Sequence, residues 1–185
     1  MRGGLSIDFQ ILMCYFPLNL NKKGVPELDE PVPEKPEGRL WENEVFRYYL
    51  FTERGEPPPP YQPFHTALRD VMENQPDWKW DPARPRTPVA TELFECAQTF
   101  LALCGRDPTK LRLFCAIGSS LDTHHGIDGF FEHCGVIATV DLTANREKLE
   151  SKAQVIFRKE ESTHKLWRTA YKIVEYLVTR SIILK

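Results

Sequence analysis

The chain has 185 residues, of which 42% are hydrophobic and 27% are charged, and its formal net charge is −2. This composition predicts one soluble globular domain with a core of its own. No stretch approaches the ~20 apolar residues of a membrane-spanning helix, no clear cleavable signal is present, and the five cysteines lack a Cys-x-x-Cys pair, so we expect a cytoplasmic protein with reduced thiols and no membrane partner.

The first 86 residues are predicted to form an extension in front of the main domain. Leu5–Phe16 is apolar and favours a strand or a packed arm, whereas Asn19–Gly38 is rich in proline, lysine and glutamate, which is typical of a linker or surface loop. Apolar residues at helical spacing then predict two helices, Leu40–Thr52 and Phe64–Asn74.

The loop Gln75–Arg86 is rich in proline and tryptophan and is predicted to close the extension. Its Trp78 and Trp80 suit two roles, because indole rings stack on nucleic-acid bases and also cover the edges of hydrophobic cores. The second role is the commoner one for tryptophan, so we expect core lids here.

The main domain, residues 87–185, is predicted to begin with a helix. Thr87-Pro88 combines a capping hydroxyl with a proline in the first turn, and Gly105 is a suitable stop. The Ser119–His125 segment is expected to be a connection. The other predicted elements are a strand at Lys110–Gly118, a hairpin at Gly126–Thr143, a short helix at Asn145–Lys152, a strand at Gln154–Phe157 and a helix at Thr163–Arg180.

The hairpin is predicted to bring two aspartates together. A two-residue loop at Cys134-Gly135 sets the register of the strands, so that Phe130 faces Thr139 and Asp128 faces Asp141. Like charges at a cross-strand pair cost up to ~1 kcal/mol. A divalent cation such as Mg²⁺, which takes one or two carboxylates plus water and phosphate oxygens, would offset this cost. A longer turn with a slipped register would instead leave both acids in solvent.

The element order, helix, strand, hairpin, helix, strand, helix, is an α/β pattern with a mixed sheet. With its acids, it resembles the PD-(D/E)xK nuclease superfamily, whose restriction-endonuclease-like fold has an αβββαβ core with a mixed central sheet flanked by helices. The resemblance covers residues 87–180 and implies a nuclease that hydrolyses DNA or RNA phosphodiester bonds with Mg²⁺ or Mn²⁺. Asp128 matches the first metal-binding acid of the motif, Asp141 the second, and Glu92 or Glu95 the acid that a helix often contributes.

The chain departs from the family pattern at two positions. Thr143 stands where the motif has its lysine, and Ile127 stands where it would have proline. The family tolerates migration of the lysine to a neighbouring helix, and Lys148 and Lys152 lie four residues apart on the short helix predicted after the strand. The resemblance therefore implies that Lys148 or Lys152 orients the nucleophile.

The C-terminal part of the chain is basic: residues 151–185 carry eight Lys/Arg and three Asp/Glu. This asymmetry suits a polyanion that approaches from the C-terminal side, although a solvated helix face explains it nearly as well. We expect nucleic acid as the partner, with backbone phosphates held by Lys165, Arg168 and Lys172. The sequence leaves a homodimer open.

Two other chemistries use some of the same residues. Gly118-Ser119 followed by Asp128 resembles the nucleotidyltransferase pattern, in which a Gly-Ser turn cradles a triphosphate and an Asp-x-Asp pair binds metal, but the second acid is absent here. A zinc site is a further alternative, although no spacing matches a common zinc module. Its candidate ligands are Cys115, His124, His125, His133 and Cys134.

A third alternative is a non-catalytic module that uses the same fold to bind nucleic acid or a protein. It accounts directly for Thr143 at the lysine position, and the aromatic residues of the N-terminal half suit a partner surface. The sequence taken alone favours the metal-dependent endonuclease.

Overall fold

The computed structural model describes residues 36–46, 57–75, 80–145, 147–159 and 163–183. The strand or arm predicted at Leu5–Phe16 and the tryptophan at position 78 lie outside these residues. The described helices are α1 (Pro36–Phe46), α2 (Phe64–Asn74), α3 (Pro88–Leu103), α4 (Ser120–His125) and α5 (Thr163–Ile183), with a short 3-10 helix at Pro108–Lys110. The strands are β1 (Leu111–Cys115), β2 (Gly129–His133), β3 (Val136–Thr143) and β4 (Val155–Arg158).

Local sequence signals account for most of these helices. The bounds predicted for α2 are confirmed, and Thr87 caps α3 as predicted, since its hydroxyl accepts a hydrogen bond from the Ala90 amide at 3.2 Å. The linker prediction is wrong over residues 36–38, because α1 already begins at Pro36, where proline is favoured in a first helical turn. No described helix is long and apolar enough to cross a membrane.

The four strands form one mixed sheet in the order β1-β2-β3-β4. β1 pairs with β2 and β2 with β3 antiparallel, whereas β3 and β4 are parallel. The predicted two-residue turn is confirmed: Cys134 and Gly135 have φ values of 52° and 82°, and both central residues of a tight hairpin turn of type I′ need positive φ. The predicted pairing of Phe130 with Thr139 is confirmed as well.

The chain between β3 and β4 differs from the expectation. A helix was predicted at Asn145–Lys152, but the described residues of this segment contain none. Short polar side chains take up backbone donors locally, because the Thr143 hydroxyl accepts from the Asn145 amide at 3.1 Å and the Asn145 side chain accepts from the Glu147 amide at 2.9 Å. Such bonds compete with helix formation. The helix between the last two strands of the expected αβββαβ core is therefore absent from the described part of the chain.

Helices cover both faces of the sheet, and each face has its own hydrophobic cluster. The larger cluster joins α1, α3 and α5 to strand residues that include Leu113, Phe131, Val140 and Leu142. The smaller cluster joins α2 and α4 to the other face, through residues that include Phe114, Phe130, Leu121 and Ile127. Side chains alternate along β3, so Asp141 points to the other face of the sheet, away from α3 and α5.

The outer edge of β1 is covered by residues of the predicted tryptophan loop. Trp80 is 2% exposed, and its indole Nε1 donates to the Leu113 carbonyl at 2.7 Å. The Gln75 side chain bonds both main-chain groups of Cys115, at 3.1 and 3.3 Å. Trp80 is thus a core lid that caps a strand edge, and its indole ring is not available for base stacking.

Candidate active site

Asp128 lies just beyond the regular pairing of the hairpin, which ends at Gly129 opposite Val140. Its main-chain amide donates to the Val140 carbonyl at 3.0 Å, and its carbonyl accepts from the Ala116 amide at 2.8 Å. The carboxylate itself accepts from the Leu142 amide at 2.5 Å. Asp128 is therefore built into the sheet end and is only 6% exposed.

The environment of Asp128 favours its protonated form. Burial is the largest cause, and the negative charges of Asp122, Glu42 and Asp141 act in the same direction, while the Leu142 amide opposes them. Together they raise the pKa of Asp128 to about 8. The part of this shift that comes from the neighbouring acids is the part that a positive charge at this place would relieve.

Asp141 has already acquired such a charge. It is buried, and its Oδ2 lies 2.6 Å from the Nζ of Lys148, whose side chain is 38% exposed. Lys152, the other predicted lysine, is exposed and takes part in no ion pair among the described residues. The structure thus separates the two lysines: only Lys148 reaches the acid pair.

Asp122 is a member of the acidic group that the sequence reasoning missed. It lies in the first turn of α4, and its Oδ2 accepts from the Gly118 amide at 2.8 Å. The helix is capped by Ser119, whose hydroxyl accepts from the amides of Leu121 and Asp122. The Ser-x-x-Asp spacing of a capped helix start was the local signal for this arrangement.

A glutamate of α1, Glu42, also acts electrostatically on Asp128. Glu42 raises the pKa of Asp128, and it also raises that of the buried thiol of Cys115, after the larger effect of desolvation. Neighbouring Trp41 anchors α1 at this end of the sheet, because its ring packs edge-on against Phe157 at 5.1 Å and its Nε1 donates to the Phe157 carbonyl at 3.4 Å.

The glutamates predicted to assist the metal site lie elsewhere. Glu92 and Glu95 are on α3, which packs on the face of the sheet opposite Asp141. The effect of these two glutamates is seen on their helix neighbour Cys96, whose thiol pKa is raised first by burial and then by both carboxylates. Neither glutamate is among the main causes of the Asp128 shift. The structure therefore does not bring them to the hairpin acids.

The predicted phosphate-binding residues are also on the other side of the sheet. Arg168 and Lys172 are exposed on α5, which packs with α3 in the larger cluster. The side chain of Lys165 lies outside the described residues. A strand of nucleic acid that touched both α5 and Asp141 would therefore have to pass around the sheet.

The residues of the zinc alternative do not converge. His124 and His125 bond the carbonyls of Pro59 and Gln62, each at 2.8 Å, and pin the loop before α2 onto α4. His133 instead bonds the carbonyl of Asp107, at 2.9 Å. Among the described residues, no group of three or more His, Cys, Asp or Glu side chains is arranged to hold a metal ion.

The Gly118-Ser119 turn uses its backbone donors internally. The Gly118 amide donates to Asp122 at 2.8 Å, and the Ser119 amide donates to the Ala116 carbonyl at 2.9 Å. A triphosphate cradle needs such amides free to point at the phosphates. This geometry therefore weighs against the nucleotidyltransferase alternative.

Gly129 is required where α1 crosses the sheet end. A methyl group added at Gly129 would lie 2.5 Å from the Phe46 ring and 2.8 Å from the Phe114 carbonyl oxygen. We expect Gly129→Ala to lower the free energy of unfolding by about 1–3 kcal/mol, as overpacking does, when measured by urea denaturation. Gly38→Ala, on α1, is the control, because nothing lies within 4 Å of its added methyl, and it should be neutral or slightly stabilising. Equal losses for both variants would contradict the close approach.

Comparison of the chain with protein-family models, curated proteins and solved structures finds no match. The feature with the clearest chemistry is the acidic group at the sheet end, in which Asp128 and Asp141 come from the hairpin, Asp122 from α4 and Glu42 from α1. Lys148 supplies the positive charge.

Proposed function

We propose that this chain is a metal-dependent nuclease with a restriction-endonuclease-like core, which hydrolyses DNA or RNA phosphodiester bonds with Mg²⁺ or Mn²⁺. The observation that carries the proposal is the position of the buried Asp128, one residue beyond the Gly129–Val140 pair, at the sheet end that also carries the Asp141–Lys148 ion pair. An antiparallel β1-β2-β3 meander followed by a parallel β4 is consistent with this core. A lysine that has moved away from position 143 is consistent with the family's tolerance of migration.

The donor set fits a small hard cation. Asp128 and Asp141 offer carboxylate oxygens, and Mg²⁺ needs only one or two carboxylates, with water and phosphate oxygens filling the remaining positions. This form of site is compatible with the lack of a three-ligand group among the described side chains. When bound, the metal would polarise the phosphate and lower the pKa of a bound water.

The residues of the chain would supply the other parts of the reaction. The Lys148 ammonium, already at Asp141, is suited to stabilise negative charge that develops on the phosphate oxygens. Thr143 has no charge to offer in that role. Glu42 and Asp122 keep the local potential negative, which favours a cation at Asp128 over an ionised carboxylate alone.

Cleavage assays test the proposal most directly. The wild-type protein should cut at least one of four substrates, single- or double-stranded DNA or RNA, in Mn²⁺ but not in EDTA. Glu42→Gln should reduce the cleavage rate, because it removes one of the negative charges near Asp128 that favour a bound cation. Glu44→Gln, on the same helix, is the control, since that side chain is exposed and pairs with Lys159. Absence of cleavage on all four substrates would overturn the proposal.

The non-catalytic module remains the second candidate because of one observation, the threonine at position 143. Isothermal titration of Mn²⁺ separates the two. A nuclease site binds Mn²⁺ in the wild-type protein, if need be with a non-cleavable phosphodiester present. Measurable nucleic-acid affinity without Mn²⁺ binding and without cleavage would instead support the non-catalytic module.

A further inference from the structure

Arg158 occupies the position beside Thr143 on the neighbouring strand. It is the last residue of β4, and the parallel register pairs it with Thr143. Paired residues of adjacent strands point to the same face of a sheet, so Arg158 shares the face of Asp141. A cation is therefore present on β4 at the level where the family motif would carry its lysine on β3.

The contacts of Arg158 lead directly to Lys148. Its Nη2 donates to the Lys148 carbonyl at 2.5 Å, and the Lys148 ammonium contacts Asp141 at 2.6 Å. The Arg158 Nε is buried and has no hydrogen-bond partner within the described chain. The guanidinium thus joins β4 to the backbone of the connecting segment at the residue whose side chain reaches the acids.

The connecting segment needs such an anchor. Its described residues form neither helix nor strand between Thr143 and Val155, so no regular backbone ladder fixes Lys148. Among the described residues, Gln154 also ties the segment to β3 at its far end, where it bonds Thr139. A planar guanidinium, which remains charged at all relevant pH values, is well suited to hold a carbonyl oxygen in one place.

We propose that Arg158 is a positioning residue that holds the ammonium of Lys148 on Asp141, so that the two residues together replace the motif lysine absent at position 143. This inference rests on the proposed nuclease function for its catalytic meaning. The Arg158–Lys148–Asp141 connection itself can be tested without any substrate.

Lysine acylation measured by mass spectrometry tests the connection. In the wild-type protein the ion pair protects Lys148, whereas Lys152 is exposed and serves as the internal control. Arg158→Gln should accelerate acylation of Lys148 about tenfold, the effect of losing one charge-assisted hydrogen bond, and leave Lys152 unchanged. Arg158→Lys should restore part of the protection. The matched control is Arg112→Gln on β1, whose guanidinium bonds the carbonyls of Thr109 and Leu111.

Unchanged acylation of Lys148 in Arg158→Gln, or equal acceleration in Arg112→Gln, would overturn the proposal. Kinetics on a cleaved substrate add the catalytic arm: Arg158→Gln should lower kcat with KM nearly unchanged, and Arg158→Lys should recover part of kcat. A lower kcat with normal Lys148 protection would also overturn the positioning role. If the wild-type protein cleaves nothing, the nuclease proposal fails while the acylation rates still decide the role of Arg158.

Discussion

Asp128→Asn is expected to make the protein more stable at pH 8, by on the order of 5 kcal/mol, and to abolish the proposed Mn²⁺ binding and cleavage. In the folded chain Asp128 retains its proton up to a pKa of about 8, whereas in the unfolded chain an aspartate ionises near pH ~4. Between these values the folded state binds more protons than the unfolded state. The stability of the wild-type protein should therefore fall as the pH rises through this window.

Asparagine removes the titrating proton and keeps the local hydrogen bond. Its amide oxygen can still accept from the Leu142 amide, as the Asp128 carboxylate does at 2.5 Å. The free energy of unfolding of Asp128→Asn should thus depend less steeply on pH, and the two proteins should have nearly equal stability at pH ~4 and below, where both side chains are neutral. Urea denaturation at pH 4, 6 and 8 measures this convergence directly.

The same variant separates a functional acid from a structural one. A cation that binds at Asp128 must displace its proton, so Mn²⁺ affinity of the wild-type protein should rise between pH 6 and 8 and disappear in Asp128→Asn. Equal destabilisation of the variant at every pH would mean that the carboxylate has a structural partner that asparagine cannot replace. Mn²⁺ affinity that persists in the variant would remove Asp128 from the site.

The parts of the fold that could be predicted are those with local causes. The hairpin register follows from two residues, Cys134 and Gly135, because a tight turn fixes all the pairs that follow. The start of α3 follows from the Thr87 cap. These signals operate within a few residues, and the sequence contains them in full.

The parts that could not be predicted depend on contacts between distant segments. The charge of Glu42 acts on Asp128 because α1 packs across the sheet end through Trp41 and Phe157, which are 116 positions apart in the chain. No spacing rule connects those residues. Glu92 and Glu95 had suitable chemistry and suitable order, but α3 covers the opposite face.

The helix predicted after β3 is wrong for a different reason. Its composition suits a helix, yet local bonds of Thr143 and Asn145 and the ion pair of Lys148 hold another conformation. Helix propensity is a weak prior that specific contacts override. Without the helix, Lys148 and Lys152 no longer share a face, and only the first reaches an acid.

That separation of the two lysines yields the second large prediction. Lys148→Ala should lower the free energy of unfolding by about 1–2 kcal/mol, because it leaves the buried Asp141 carboxylate without its cation, a loss moderated by the partial exposure of the lysine. Turnover in the proposed nuclease reaction should fall by ~10²-fold, the usual effect of losing one charge-stabilising group. Lys152→Ala, at an exposed side chain, should change stability by less than ~0.5 kcal/mol.

A double-mutant cycle with Asp141→Asn connects these effects to the ion pair. If the pair is the cause, Lys148→Ala should cost little stability in the Asp141→Asn background, where no buried charge is left without a partner. Lys148→Ala should lower stability and turnover but not Mn²⁺ affinity. Removal of the Lys148 ammonium should preserve or tighten metal binding, since a competing cation has left Asp141. Equal, negligible effects of Lys148→Ala and Lys152→Ala on turnover would show that neither lysine has taken the place of the missing motif residue, and the acidic group would then have to act without it.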